Sequence, residues 1–240
     1  MATASVVALA LDVPRASADW TVAGFVGAAH TQDSSIRLIQ PADSTDVTVS
    51  PVVYRSESFA LPIYYGYRVG FFPGSGWIGI EGEFIHLKVV ADTVRPAEVI
   101  GTFKGQAVSA TQPIAAVLER FSITHGVNLV LVNAVVRQAL GDTPRPRWRV
   151  TGRVGIGASV PHPESTIAGA DLEEYEWGSF SAQAAAGVEL RLRRRVSLAG
   201  EYKLTRTVQN VSVVHGSVST PLTTHHLVTG IVVDLGAARE

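Results

Sequence analysis

The sequence predicts an all-β fold, an eight-stranded antiparallel up-and-down transmembrane β-barrel, and three observations carry that prediction. Apolar residues alternate with small or polar ones at a period of two over eight segments, most of about ten residues or more. The chain is under-charged for water: 17% of its 240 residues are charged, against about 25% in an average soluble domain. It is 46% apolar, yet it holds no uninterrupted apolar run of about 18 residues, which excludes a transmembrane helix. A bilayer tolerates only helices and closed barrels, so the barrel remains.

The segments are roughly 20–30, 59–72, 77–89, 123–137, 148–160, 178–192, 196–208 and 224–235. The second and third flank PGSG, a tight turn between YYGYRVGFF and WIGIEGEFIHL. The connections alternate in length: 72–76, 138–147 and 193–195 are short, whereas 31–58, 90–122, 161–177 and 209–223 are long. That is the pattern of bacterial outer-membrane barrels, with short periplasmic turns and long extracellular loops. An even strand number puts both ends of the barrel on the short-turn side.

Parity decides which face meets lipid. Phe180, Ala182, Ala184, Ala186, Val188, Leu190 and Leu192 share one face of the sixth segment, opposite Ser181, Gln183, Ala185, Gly187, Glu189 and Arg191. In the fifth, Trp148, Val150, Val154, Ile156, Ala158 and Val160 oppose Arg149, Thr151, Arg153, Gly155, Gly157 and Ser159. The second face is rich in Gly, Ala and Ser, where a soluble barrel would carry a dense charged exterior. It therefore lines a narrow lumen. Arg68, Glu81, Glu83, Arg153, Glu189, Glu201 and Lys203 then all point inward, and buried charges need partners, so they form an interior ion-pair network. Eight strands leave an interior that side chains fill, which favours a plug over a conducting pore. Trp77, Trp148, Phe71 and Phe72 fall at the short-turn end, as an inner aromatic girdle or as core.

The net charge of -1 offers no basic field for nucleic acid. With no cysteine there is neither a disulfide framework nor a thiolate metal site. Residues 1–18 read as a degraded signal peptide, with an apolar stretch from Val6 to Leu11 and an Ala-Ser-Ala before Asp19, although a basic start is missing and Asp12 interrupts. The barrel occupies 19–236 and a short tail 237–240. The last strand ends on Leu235 rather than on the aromatic residue that barrel-assembly machinery usually reads.

The seven histidines are His30, His86, His125, His162, His215, His225 and His226, and each falls at a strand top or in a long loop. Tilted strands rise about 2.5 Å per residue, which sets His86 roughly 23 Å above Trp77, near the outer edge of the apolar band. A ring of imidazoles at that level, with Glu164, Asp92 or another loop carboxylate, suits a divalent cation, or contact with lipid phosphates. Polar residues also gather in outer loops without any such role. The catalytic candidates are His86, His125, His225 and His226; the metal candidates are His162 and Glu164.

Residues 111–121, TQPIAAVLERF, space Ile114, Val117, Leu118 and Phe121 as one helical face, either a short surface helix or a packing element of the loop. GRVGIGAS at 152–159 has its glycines at period two with no helix following, so a phosphate loop is rejected.

Five blocks carry a resemblance: PIYYGYRVGFFPGSGWIGIEGEFIHLKVVADT, HGVNLVLVNAVVR, GRVGIGASVPHPES, GVELRLRRRVSLAGEYKLT and THHLVTGIVVDL. They resemble successive blocks of the small outer-membrane β-barrel proteins labelled lipid A oxidase. The expected partners of such an outer-membrane barrel are outer-membrane lipid, lipopolysaccharide and the assembly machinery, and a monomer is expected. The resemblance implies oxidation of the proximal glucosamine of lipid A to 2-aminogluconate, with a divalent metal and molecular oxygen as co-substrate. His86, His125, His162, Glu164, His225 and His226 lie within the matching blocks. The alternative function is a non-enzymatic structural or surface-interaction barrel that works through loops 31–58 and 90–122.

Overall fold

The computed structural model describes residues 18–74, 76–141 and 146–235. The readings of a signal peptide over 1–18 and of a tail over 237–240 lie outside these residues, apart from Ala18. Eight long strands form the barrel: β1 (Ala18–Thr31), β2 (Tyr65–Pro73), β3 (Ile78–His86), β4 (Leu129–Leu140), β5 (Trp148–Ser159), β6 (Phe180–Arg191), β7 (Val196–Val213) and β8 (Gly216–Asp234). Each pairs antiparallel with the next, and β1 pairs with β8 from Thr21↔Asp234 to Thr31↔Thr224, which closes the cylinder.

Closure satisfies the backbone, and the alternation sorts the side chains. Val69, Ile80, Val132, Val154, Ile156, Phe180, Tyr202 and Leu227 are exposed on the outer wall. The inner wall carries the charges. Arg68 forks onto Glu201 at 3.0 and 3.2 Å, Arg153 bonds Glu81 at 2.6 Å and also reaches Glu201, and Lys203 bonds Glu201 at 2.6 Å and also Glu83. Asn133 donates to Glu83 at 2.8 Å and Gln183 donates to it as well, so Glu83 and Glu201 each have several donor residues, while Glu81 takes two bonds from Arg153. Below it Glu189 pairs with Arg149 at 3.0 Å. Phe25 lies under the guanidinium of Arg68 and the ammonium of Lys203, 4.9 and 4.7 Å from its ring centre. Three cations and three carboxylates thus fill the mid-lumen as one neutral unit, a side-chain plug.

At the short-turn end Trp20, Trp77 and Trp148 face outward, and Trp20 packs on Phe71 with ring centres 5.0 Å apart. Phe72 does not join this girdle. Consecutive strand residues face opposite ways, so Phe72 points into the lumen, where the Arg137 guanidinium lies 3.6 Å from its ring centre. A Cβ on Gly79 would land on the Phe72 ring, and one on Gly66 on the Phe25 ring; these glycines give the lumen aromatics flat floors. Gly79→Val should therefore overpack the lower lumen and cost about 1–3 kcal/mol, read from urea unfolding in lipid vesicles. An unchanged midpoint would show that Phe72 can move aside.

The long connections are folded. β7 and β8 run on past the barrel rim to a turn at Val214–His215, so 209–223 is paired strand rather than loop. Val211, Val213, Val218 and Leu222 continue the alternation there because they face a second apolar core. Strands Ser34–Gln40, Thr45–Val52, Pro96–Phe103 and Gln106–Pro113 extend the sheet from β8. A second sheet is built from Tyr54–Arg55, Val89–Ala91, Arg120–Ile123, Glu164–Ile167 and Ala170–Glu173. Ile36, Leu38, Val47, Val99, Val89 and Phe121, drawn from both sheets, belong to one buried cluster. Of the strand starts read from sequence at 59 and 123, the second belongs to this cap, in strand Arg120–Ile123, while 59–64 is an irregular turn segment with Phe59 and Leu61 exposed. Residues 111–121 are strand, then a single 3-10 turn at Ile114–Ala116, then strand; Ile114, Val117, Leu118 and Phe121 are loop packing in the cap core, not a surface helix.

Candidate metal centre

Two ladders deliver the site. β4 pairs with β5 up to Leu129↔Ser159, and the pairing runs on as Val160 N–H donates to Asn128 O at 2.9 Å and His162 N–H to Gly126 O at 3.2 Å. That continuation sets His125 beside His162, ring centres 4.7 Å apart and edge to face. The second ladder is the hairpin Glu164–Ile167 and Ala170–Glu173, whose turn is Ala168–Gly169 with φ of 52° and 74°. Both turn residues are left-handed, a conformation glycine adopts at no steric cost. The hairpin register pairs Glu164 with Glu173.

One ligand atom from each of His125, His162, Glu164 and Glu173 lies within 4.8 Å of the others. His125 Nδ1 is 3.1 Å from Glu164 Oε1 and 3.8 Å from Glu173 Oε1, and His162 Nε2 is 3.7 Å from the same Glu173 oxygen. Ligand atoms about 2.1 Å from a tetrahedral ion stand about 3.4 Å apart, so the spacings fit a cation with little adjustment. Two imidazoles and two carboxylates suit zinc, manganese or ferrous iron. His162 Nδ1 is buried without a partner, and the ring rests on Tyr175 at 4.1 Å.

Glu164 is buried, and its orientation is fixed by Arg120, by Thr124 and by Ser122 Oγ at 3.3 Å. Such outer contacts hold a ligating carboxylate in place and offset its charge. Glu173 and His125 are half exposed, which leaves the centre open to the outer surface.

The other sequence candidates sit elsewhere. His86, at the top of β3, bonds Asn128 Oδ1 through Nδ1 at 2.9 Å and stacks on Tyr65. His225 and His226 ride β8, on the wall opposite β4 and β5. His226 points inward and is buried, with Tyr64 Oη 3.0 Å from Nδ1 and Thr205 Oγ1 2.8 Å from Nε2, so both ring nitrogens are engaged within the fold. His225 lies against His30 on the outer side and contacts Gln32 and Tyr202. Asp92 pairs with Arg95 at 3.0 Å, away from the histidines. Glu173 was not a sequence candidate: it sits in the acidic run LEEYE with no motif of its own. Its signal was the Ala168–Gly169 turn, from which Glu164 and Glu173 are equidistant.

No protein-family model and no curated protein matches the sequence. Among solved structures the chain is similar to Neisserial surface protein A, at 11% identity and TM-score 0.35, covering 89% of this chain and 96% of that one. It is likewise similar to the outer membrane protease OmpT from Escherichia coli, at 7% identity and TM-score 0.43 over 90% and 97% of the two chains. A third is Ail, the attachment invasion locus protein of Yersinia pestis, at 9% identity and TM-score 0.33 over 88% and 98%.

Proposed function

We propose that this chain is an outer-membrane barrel that oxidises lipid A at the outer leaflet, converting its proximal glucosamine to 2-aminogluconate. The observation that carries the reading is the convergence of His125, His162, Glu164 and Glu173 at the upper rim of an apolar-walled barrel, the level at which a lipid headgroup would meet it in a bilayer. The sequence resemblance to the lipid A oxidase group supports it.

The chemistry balances with oxygen as the oxidant. A sugar whose C1 carries a free hydroxyl loses two electrons and two protons from C1–H and O1–H, and O2 takes them as hydrogen peroxide. The resulting lactone adds water and opens to the acid, a net gain of one oxygen atom. A bound divalent cation would supply Lewis acidity toward the sugar oxygens. Glu164, fixed by Arg120 and Thr124, and the two imidazoles would hold it, and the half-exposed Glu173 closes the set on the solvent side.

Mass spectrometry of lipid A from outer membranes with and without the protein tests this. The expected result is a species heavier by one oxygen that appears only with the protein. An unchanged lipid A profile would overturn the enzymatic reading in favour of a surface-interaction barrel, for which the folded cap with its exposed outer strand Gln106–Pro113 is the specific observation.

A further inference from the structure

Beside the cation centre, a groove of about 510 Å³ opens on the outer wall at the top of β2, β3 and β4. His86, Asn128 and His125 form its polar end, while Tyr65, Phe84 and Val130 form its apolar end. Tyr65 and Val130 belong to the exposed outer wall, so the apolar end continues into the surface that faces hydrocarbon. His125 belongs to both the groove and the cation centre.

The hydrogen bonding of His86 fixes what the polar end can accept. The Asn128 amide nitrogen donates to three carbonyls, those of Val160 at 3.1 Å, Gly126 at 3.2 Å and His125 at 3.4 Å. Its oxygen must therefore be the atom that faces His86 Nδ1, and that nitrogen carries the hydrogen. Nε2 is then a bare lone pair, and it is buried with no partner. A buried acceptor left unpaired is costly, so a ligand that donates a hydrogen bond there is favoured and one that only accepts is not.

We propose that this groove seats the sugar headgroup and the first acyl methylenes of a glycolipid. His86 Nε2, shielded in this structure, accepts a hydrogen bond from a sugar hydroxyl or amide N–H once the Tyr65 ring stacked on His86 turns aside, and Phe84 and Val130 cover the chain. The proposal rests on the reading that the rim acts on lipid A, and it names the surface that presents the sugar to the cation centre. Phosphate, carboxylate and quaternary ammonium groups lack the donor that Nε2 requires, which selects glycolipids over phosphatidylcholine for this end of the groove.

Binding separates the groove from the chemistry. The full-length protein in mixed micelles containing Mn²⁺ is titrated with lipid A and, separately, with phosphatidylcholine, whose headgroup carries no N–H or O–H, and the turnover of lipid A is followed in parallel. The wild type should bind lipid A at least about ten-fold more tightly than the phospholipid. His86→Phe should lose about ten-fold for lipid A, the value of one buried hydrogen bond, with KM rising more than kcat falls. Val130→Trp, which fills the groove from the exposed wall, should weaken lipid A binding while the heat-modifiable gel mobility of a folded barrel is kept. Lipid A affinity unchanged in both variants would overturn the groove. Lipid A bound through His86 but recovered unoxidised would support the groove and remove the oxidase reading.

Discussion

Glu201→Gln should lower the unfolding free energy of the barrel by about 3–5 kcal/mol, the cost of breaking a buried ion pair from one side. Glu201 takes two bonds from Arg68, at 3.0 and 3.2 Å, another from Lys203 at 2.6 Å, and one from Arg153. The amide keeps the shape and removes the charge, so Arg68, Arg153 and Lys203 are left facing only Glu81 and Glu83 within a lumen whose polar groups are almost fully shielded. Water cannot relax around the excess cation, and the amide nitrogen must point at donors. Urea unfolding in lipid vesicles, followed by tryptophan fluorescence and heat-modifiable gel mobility, reads the loss. A change below about 1 kcal/mol, the range of exposed pairs, would mean that the lumen is hydrated.

The second large effect is on the rim. His125→Ala combined with His162→Ala should lower the affinity for Mn²⁺ or Zn²⁺ by more than about 100-fold, since even outer contacts of a metal ligand are worth 10–100-fold. Oxidised lipid A should disappear with it. Neither residue touches the lumen network, and His125 is half exposed, so the barrel should still show folded gel mobility. His226→Ala supplies the contrast: it strands Tyr64 and Thr205, and should cost stability while leaving cation affinity unchanged. Calorimetric titration of the cation into the detergent-solubilised protein checks both. Retained affinity in the double variant would remove the centre.

Much of the barrel is legible because a period of two is hard to imitate: Val154 and Ile156 outside, Arg153 and Thr151 inside, follow from parity alone. The lumen charges follow as well, since a strand that exposes Tyr67 and Val69 must bury Arg68 between them. The cap is not legible in this way. In its second sheet Val89–Ala91 and Arg120–Ile123 are short and pair across a long stretch of sequence, so local pattern marks neither their existence nor their pairing, whereas the hairpins of Ser34–Gln40 with Thr45–Val52 and of Pro96–Phe103 with Gln106–Pro113 are local but lie inside connections whose length reads as loop. Ile114, Val117, Leu118 and Phe121 imitate a helical face because a strand, a turn and another strand each contribute one or two residues to the same core. At the site, His125, His162 and Glu164 stood out by residue type, whereas Glu173 is visible only once the hairpin about Gly169 is drawn. Sequence distance from the strand tops grouped His225 and His226 with the others, but height along a cylinder says nothing of position around it.

The sheet that climbs from β8 into Ser34–Gln40 and onward makes the outer half of this molecule a poor host for foreign peptide. Exposed loop tips are where inserted segments are usually tolerated, but here the long outer connections are paired strands packed on a shared apolar interior. Phe59 and Leu61 point their side chains away from that interior, but Lys88 Nζ holds the carbonyls of Ala60 and Leu61 at 3.1 and 2.9 Å, which leaves the exposed bend at Lys104–Gly105 as the point of entry. Vaccine or display designs built on this scaffold would have to enter there.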